Sequence, residues 1–184
     1  MAVDILPLAI ADIQALQAQI VAVYCEAFTP PPYNKSAAEV EEFAQSFPTQ
    51  WQREAYRFVA ALEHDSKQLI GFAYGYASAA GHWWVDFVRT ALPEPLASEW
   101  LENSFQLVEI AVLPVFQGQG IGGRLHDSLL AGLPHDRALL GTMQADTAAY
   151  RLYQRRGWAV LAENLEVPGI ARRYQIMGLE LSAS

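Results

Sequence analysis

Apolar positions along this chain switch between a period of two and a period near three and a half, and the switches divide it into strands and helices. Residues 1–8 alternate loosely and read as an opening strand. Asp12 can cap a helix running to about Phe28, with Ile13, Leu16, Ile20, Val23 and Phe28 as its buried stripe. The segment 29–34, TPPPYN, must end that helix, because three prolines cannot continue it. Ser36-Ala37-Ala38-Glu39 is a capping-box pattern opening a second helix, with Val40, Phe43 and Phe47 on its apolar face. Residues 57–62 and 69–76 are β-forming runs around the polar turn His64-Asp65-Ser66-Lys67, which predicts an antiparallel hairpin.

The stretch 105–133, FQLVEIAVLPVFQGQGIGGRLHDSLLAGL, predicts a strand, a glycine-bearing loop and an amphipathic helix. Ile121, Leu125, Leu129, Leu130 and Leu133 recur at helical spacing until Pro134 stops the pattern. Gly118, Gly120, Gly122 and Gly123 lie where strand becomes helix. A loop of that kind turns backbone N–H groups outward at the positive end of a helix dipole and suits an anion such as a phosphate. No Lys or Arg lies in the loop, so amides would do the holding, with Arg124 the nearest cation. A plain turn with glycines for close packing is the other reading. Gly118, Gly120 and Gly123 also satisfy the dinucleotide spacing GxGxxG, but that fingerprint follows its strand at once and expects an acid after a second strand. Here 113–117 intervene, and Asp136 has no strand before it.

Further along, 138–143 predicts a strand, 146–157 a helix, and 158–161 and 173–181 two final strands. Asp146 reads as the cap of that helix, Ala149, Leu152 and Tyr153 as one face, and Gly157 as its stop. Residues 79–104 are the least regular part, and their aromatic content argues against plain disorder. The expected domain is single, 1–184, of α/β class.

Composition changes this picture by exclusion. With 52% hydrophobic and 17% charged residues, the chain can bury a substantial core. A formal net charge of −8 leaves no electrostatic footprint for nucleic acid or an anionic membrane surface. No run of 18 apolar residues occurs, and no Cys or His cluster suggests a metal. The single cysteine, Cys25, has no internal disulfide partner and reads as core. A cytoplasmic location is expected.

Two motifs resemble those of the GCN5-related N-acetyltransferase (GNAT) superfamily. Gln117-x-x-Gly120-x-Gly122, after Val112-Leu113-Pro114, resembles its acyl-CoA loop of Gln or Arg, two residues, Gly, one residue, then Gly or Ala. Residues 145–158, ADTAAYRLYQRRGW, are similar to the family pattern N-x-x-A-x-x-L-Y-x-x-x-G-F, with Asp146 in place of Asn and Trp158 in place of Phe. The element order is that of the family fold, a mixed, mainly antiparallel central sheet flanked by helices. The resemblance implies acetyl-CoA as cosubstrate and direct acetyl transfer to an amine in a ternary complex. Its pyrophosphate would lie on Gln117, Gly118, Gln119, Gly120, Ile121, Gly122 and Gly123, its pantetheine arm and thioester on the backbone of Ile110, Ala111 and Val112, with Asp146 and Tyr153 contributing from the second motif.

Such a transfer needs a base for the acceptor, donors for the oxyanion and a proton for the leaving thiolate. Tyr153 matches the family position that protonates the sulfur, and a phenol near pKa about 10 is close enough to a thiol near about 8.5 for that step. Glu109, in an apolar strand, is the candidate base, with a raised pKa as the expected consequence of burial. A water chain could do the same work. Phe28, Pro31, Pro32 and Tyr33 in the first helix connection, and Trp83, Trp84, Phe87 and Trp100 in 79–104, are candidates for an acceptor wall, because the resemblance places both connections beside the acceptor site. The same aromatics suit core packing or a homodimer contact. A small-molecule amine is the expected acceptor, with a peptide acceptor and a non-catalytic acyl-CoA sensor as alternatives.

Overall fold

In the computed structural model, which describes residues 2–167, 170 and 172–181, the predicted strands and helices form where turn chemistry allows. Met1, at the start of the expected opening strand, lies outside the described residues. The order is β1 (Val3–Pro7), α1 (Ile10–Ala15), α2 (Gln17–Phe28), α3 (Ala37–Gln50), β2 (Arg57–Glu63), β3 (Leu69–Ala77), α4 (Trp83–Ala91), α5 (Leu96–Leu101), β4 (Ser104–Val112), α6 (Ile121–Leu130), β5 (Arg137–Met143), α7 (Ala148–Arg155), β6 (Ala159–Glu166) and β7 (Arg173–Glu180). The strands follow the order β1-β2-β3-β4-β5-β7-β6 in a seven-stranded sheet. β4 and β5 pair in parallel, while β1–β2, β2–β3, β5–β7 and β6–β7 are antiparallel. The expected α/β class with a mixed, mainly antiparallel sheet is therefore observed. Contacts divide the chain into two compact units, one comprising the chain up to Gly75 with Glu109–Ala131, the other Tyr76–Val108 with the chain from Gly132 onward.

In the first unit, the β2–β3 hairpin carries an aromatic face. Phe58, Phe72 and Tyr74 lie against Phe43 and Phe47 of α3, with Phe47 fully buried and its ring 5.4 Å from that of Tyr74. The capping box at Ser36 forms as expected: the Glu39 N–H donates to Ser36 Oγ and the Ser36 N–H donates to Glu39 Oε2 at 2.8 Å. The first helix differs from expectation. It begins at Ile10 with Ala9 as N-cap, so Asp12 lies within the first turn, where an acid still complements the dipole. Leu16 leaves the helical conformation, at φ −96° and ψ 2°, and separates α1 from α2. Arg57 donates to the Ala131 carbonyl at 2.8 Å, satisfying an orphan acceptor at the C-terminal end of α6. That helix stops at Leu130, before the expected Leu133, because Gly132 turns the chain at φ +62°.

In the second unit, 79–104 is more regular than the sequence suggests. It folds as two short helices, α4 and α5, separated at Pro93 and Pro95. Trp84, Val88, Leu92, Ala97, Trp100 and Leu101 of this segment pack with Leu139 and Ile176 into one cluster. Two glycines make room for the indoles. A Cβ on Gly141 would stand 3.0 Å from the Trp84 ring, and one on Gly178 would stand 2.5 Å from the ring of Trp100. The aromatics that raised the expectation of an irregular binding segment thus also build the core of this unit.

The cap of α7 is displaced by one residue from Asp146. Thr147 is the N-cap, and its Oγ1 accepts from the Tyr150 N–H at 3.0 Å. Asp146 instead pairs with Arg151 at 2.7 Å. Gly157, at φ +81°, ends the helix as expected.

Replacing Gly178 with Ala should destabilise the protein by about 1–3 kcal/mol, since the new methyl must displace an indole in a packed core. Urea denaturation of Gly178→Ala should show a lower midpoint at unchanged slope.

Candidate functional site

The glycine-bearing turn predicted between strand and helix forms within the first unit. After Val112 the chain makes a single 3₁₀ turn, Pro114–Phe116, then passes through Gly118 at φ +75° and Gly120 at φ +78° before α6 begins. Nothing would touch a Cβ at either glycine, so the backbone conformation, and not crowding, calls for glycine there. Gly120 is the N-cap of α6, and its carbonyl accepts from the Arg124 N–H at 3.1 Å. The N–H groups of Ile121, Gly122 and Gly123 belong to the first turn, where no carbonyl lies one turn back to receive them. Together with the helix dipole they are an arrangement whose chemistry suits an oxyanion.

Side chains around the loop hold its shape. Gln117 donates to the Val112 carbonyl at 2.9 Å, tying the loop to the end of β4. The Leu113 N–H donates to the Ile70 carbonyl at 2.9 Å, and a Cβ on Gly71 would stand 2.8 Å from the Ala111 carbonyl oxygen. Ile110, Ala111 and Val112 are therefore held against β3 at a glycine. Arg124, the nearest cation in sequence, bonds the Val3 carbonyl at 2.8 Å. Any anion here is held chiefly by amides.

Glu109 opens the segment of β4 that belongs to this unit and is half-buried. Burial pushes its carboxyl above the ordinary glutamate range, and the positive charge of Lys35 pulls it partly back. The Lys35 ammonium donates to the Tyr24 hydroxyl and lies 4.5 Å from the centroid of the Tyr24 ring and 4.8 Å from that of Phe28. Tyr33 meets Phe28 edge-on at 4.9 Å, and Tyr24 stacks on Phe43 at 3.7 Å. Phe28 and Tyr33 thus belong to an aromatic group around a resident cation. The sequence reading passes over Lys35. Its available signal was position, as the one cation between the TPPPYN break and the Ser36 cap.

The second unit holds the other named positions. Tyr153 lies on the buried face of α7 beside Leu152, its ring 5.8 Å from that of Trp158. The Tyr153 carbonyl receives the N–H groups of Arg156 and Trp158, which closes the end of α7. Asp146 is exposed and its charge is matched by Arg151, so an acid at this position brings little net charge. Trp84 is buried, whereas Trp83 is 64% exposed and packs against Phe87 at 5.7 Å.

Comparison with known proteins agrees with these motifs. The Acetyltransferase (GNAT) family matches residues 20–158. The GCN5-like protein acetyltransferase Rv2170 of Mycobacterium tuberculosis is 34% identical over 130 residues, 66% of this chain and 63% of that protein. The matched region thus spans less than two thirds of that relative. The fold is similar to that of yncA from Salmonella typhimurium, solved with its cofactor acetyl-CoA, at TM-score 0.65 and 16% identity over 100% of this chain and 96% of that one. It is also similar to the ribosomal-protein-S18-alanine N-acetyltransferase of Escherichia coli, at TM-score 0.63 and 18% identity over 100% and 96%. The paia N-acetyltransferase of Thermoplasma acidophilum, solved with coenzyme A, matches at TM-score 0.62 and 14% identity over 98% and 100%. With a family match across most of its length and a glycine cradle of the corresponding form, this chain belongs to the GNAT family of acetyltransferases.

Proposed function

We propose that this protein transfers the acetyl group of acetyl-CoA directly to a primary amine in a ternary complex. The observation that carries the reading is Glu109, a carboxyl raised by burial in the same unit as an amide cradle suited to a pyrophosphate. In this reading the N–H groups at the head of α6 hold the pyrophosphate, and the backbone of Ile110–Val112 holds the pantetheine arm and the thioester oxygen. Glu109 takes the proton of the acceptor ammonium, the free amine attacks the thioester carbon, and Tyr153 protonates the departing thiolate. Asp146 contributes through the start of α7, with Arg151 offsetting its charge.

The acceptor is proposed to be a small-molecule amine, with Phe28 and Tyr33 beside the Lys35 cation as its apolar surroundings in the first unit. A second reading, a protein or peptide acceptor, is favoured by the Mycobacterium tuberculosis relative, whose name is that of a protein acetyltransferase. Thiol release from acetyl-CoA across small amines, peptides and intact proteins separates the two; release with no acceptor of either kind would sink both.

Tyr153→Phe should keep the fold and acetyl-CoA affinity while kcat falls about 10²–10⁴-fold, the usual range for a lost general acid. Calorimetric titration beside steady-state turnover checks this, and unchanged kcat removes Tyr153 from the mechanism.

The pH dependence follows from the direction of the Glu109 shift. As a base it must be ionised, so kcat/KM should rise through a pKa above the ordinary glutamate range, and Glu109→Gln should abolish that limb. Lys35→Met should move the limb to higher pH, because the charge that lowers the Glu109 pKa is gone. For stability the sign is opposite. A raised folded-state pKa gives a contribution fully present below the ordinary glutamate range and lost as pH rises through the raised value. Glu109→Gln should therefore lose less stability than wild type across that window, measured by denaturation at stepped pH.

A further inference from the structure

The chain has two lysines, and the fold treats them differently. Lys67 is exposed and pairs with Asp4 at 2.9 Å, as a surface lysine ordinarily does. Lys35 is half-buried, and among the described residues no carboxylate forms an ion pair with it. Aromatic groups hold it instead. Its ammonium donates to the Tyr24 hydroxyl and stands 4.5 Å from the centroid of the Tyr24 ring and 4.8 Å from that of Phe28. Tyr24 is itself fixed, buried and stacked on Phe43 at 3.7 Å, and the Lys35 backbone N–H donates to the Phe28 carbonyl at 2.9 Å. Rings, hydroxyl and backbone therefore hold the cation at one place within the first unit.

A lysine ammonium carries three donors and accepts nothing. One serves Tyr24, and among the described residues no protein group receives the other two. Aromatic faces attract a cation but leave its charge in place, so the position still favours an anion. That charge is felt at Glu109 of the same unit, whose carboxyl it draws down against the effect of burial. A carboxylate and an ammonium thus act on each other without bonding each other. A plain amine suits Glu109 alone and is repelled by Lys35, and a diamine carries the repelling charge twice. An amino acid suits both groups, its ammonium turned to Glu109 and its carboxylate to Lys35.

We propose that Lys35, fixed by Tyr24 and Phe28, is a specificity-determining residue that receives a carboxylate carried by the acceptor, so that the preferred substrates are free amino acids. The assignment rests on the amine-acetylation reading above, with Glu109 as base, and narrows it. A fixed cation also lets a chain of net charge −8 take an acceptor that carries negative charge, which its average field opposes.

The test uses the full chain with saturating acetyl-CoA and matched acceptors: amino acids of increasing separation between amine and carboxylate, monoamines of equal chain length, and the corresponding diamines. The expected order of kcat/KM is amino acid, monoamine, diamine, with the best amino acid at least tenfold above its monoamine. Lys35→Met should cut that amino-acid-to-monoamine ratio at least tenfold, and Lys35→Arg, which keeps a cation, should retain most of it. Ratios are taken at one pH. The altered ionisation of Glu109 in Lys35→Met then affects both acceptors alike, and the basicity of each amine cancels between variants. A ratio that Lys35→Met leaves unchanged assigns Lys35 to packing and overturns the proposal. A Lys35-dependent preference found only in short peptides beginning with aspartate or glutamate overturns the free amino acid as substrate. A binding measurement separates these results from failure of the parent reading. Calorimetric titration with the amino-acid series, without acetyl-CoA, should show binding to wild type that is at least tenfold weaker in Lys35→Met. If no amine is acetylated but that difference occurs, the carboxylate subsite stands and the acetyl-transfer reading falls. If amines are acetylated with no dependence on Lys35 in rate ratio or binding, the subsite falls alone; if neither acetylation nor binding occurs, both fall.

Discussion

An amide can be turned toward an anion only when the chain around it is held in a conformation that most residues resist. In this protein that requirement falls on the turn from β4 into α6, where Gly118 and Gly120 both take positive φ. The surrounding contacts serve the same turn. Gln117 reaches back to Val112, Leu113 is tied to Ile70, and Gly71 admits the Ala111 carbonyl at a distance no side chain would allow. Strand end, loop and helix head are thereby tied together, and the groups proposed to hold a pyrophosphate and a thioester gain fixed spacing.

Charge is handled with equal economy. A chain of net charge −8 binding a polyanionic cosubstrate would ordinarily place lysines or arginines at the phosphate site, yet Arg124, the nearest, bonds a carbonyl of β1. In the proposed reading, the helix dipole and orphan amides are left to supply the attraction. At Glu109 the reverse problem arises, an acid whose burial favours the neutral form. Lys35, steadied by the Tyr24 hydroxyl and two aromatic faces, offsets part of that penalty.

Features decided by local chemistry were legible in the sequence. The Ser36 capping box, the β2–β3 hairpin, the glycine entry to α6 and the Gly157 stop depend on a few adjacent residues, and each forms where its pattern lies. Features decided by packing were not. Nothing in 79–104 announces helices of nine and six residues, because both are shorter than a helix can sustain alone and owe their existence to the sheet glycines that receive Trp84 and Trp100. Asp146 and Thr147 are both good caps, and composition alone cannot choose between them; the ion pair with Arg151 engages the first and leaves the role to the second. Lys35 is illegible in the sequence for a related reason, since its partners Tyr24, Phe28 and Glu109 lie 11, 7 and 74 residues away.

The same distinction explains why the fold and cosubstrate of such a chain can be read before its acceptor. A pyrophosphate is held by main-chain groups, and the glycines that free those groups leave a spacing in the sequence. An acceptor is chosen by side chains that only the fold brings together, and no spacing in the sequence marks them. In α4 the two tryptophans are adjacent, yet Trp84 locks its ring over Gly141 while Trp83 remains 64% exposed. Adjacent tryptophans of one short helix thus take opposite roles, one filling the core of the unit and one left at its surface, and it is the glycine of β5 beneath the first that decides between them.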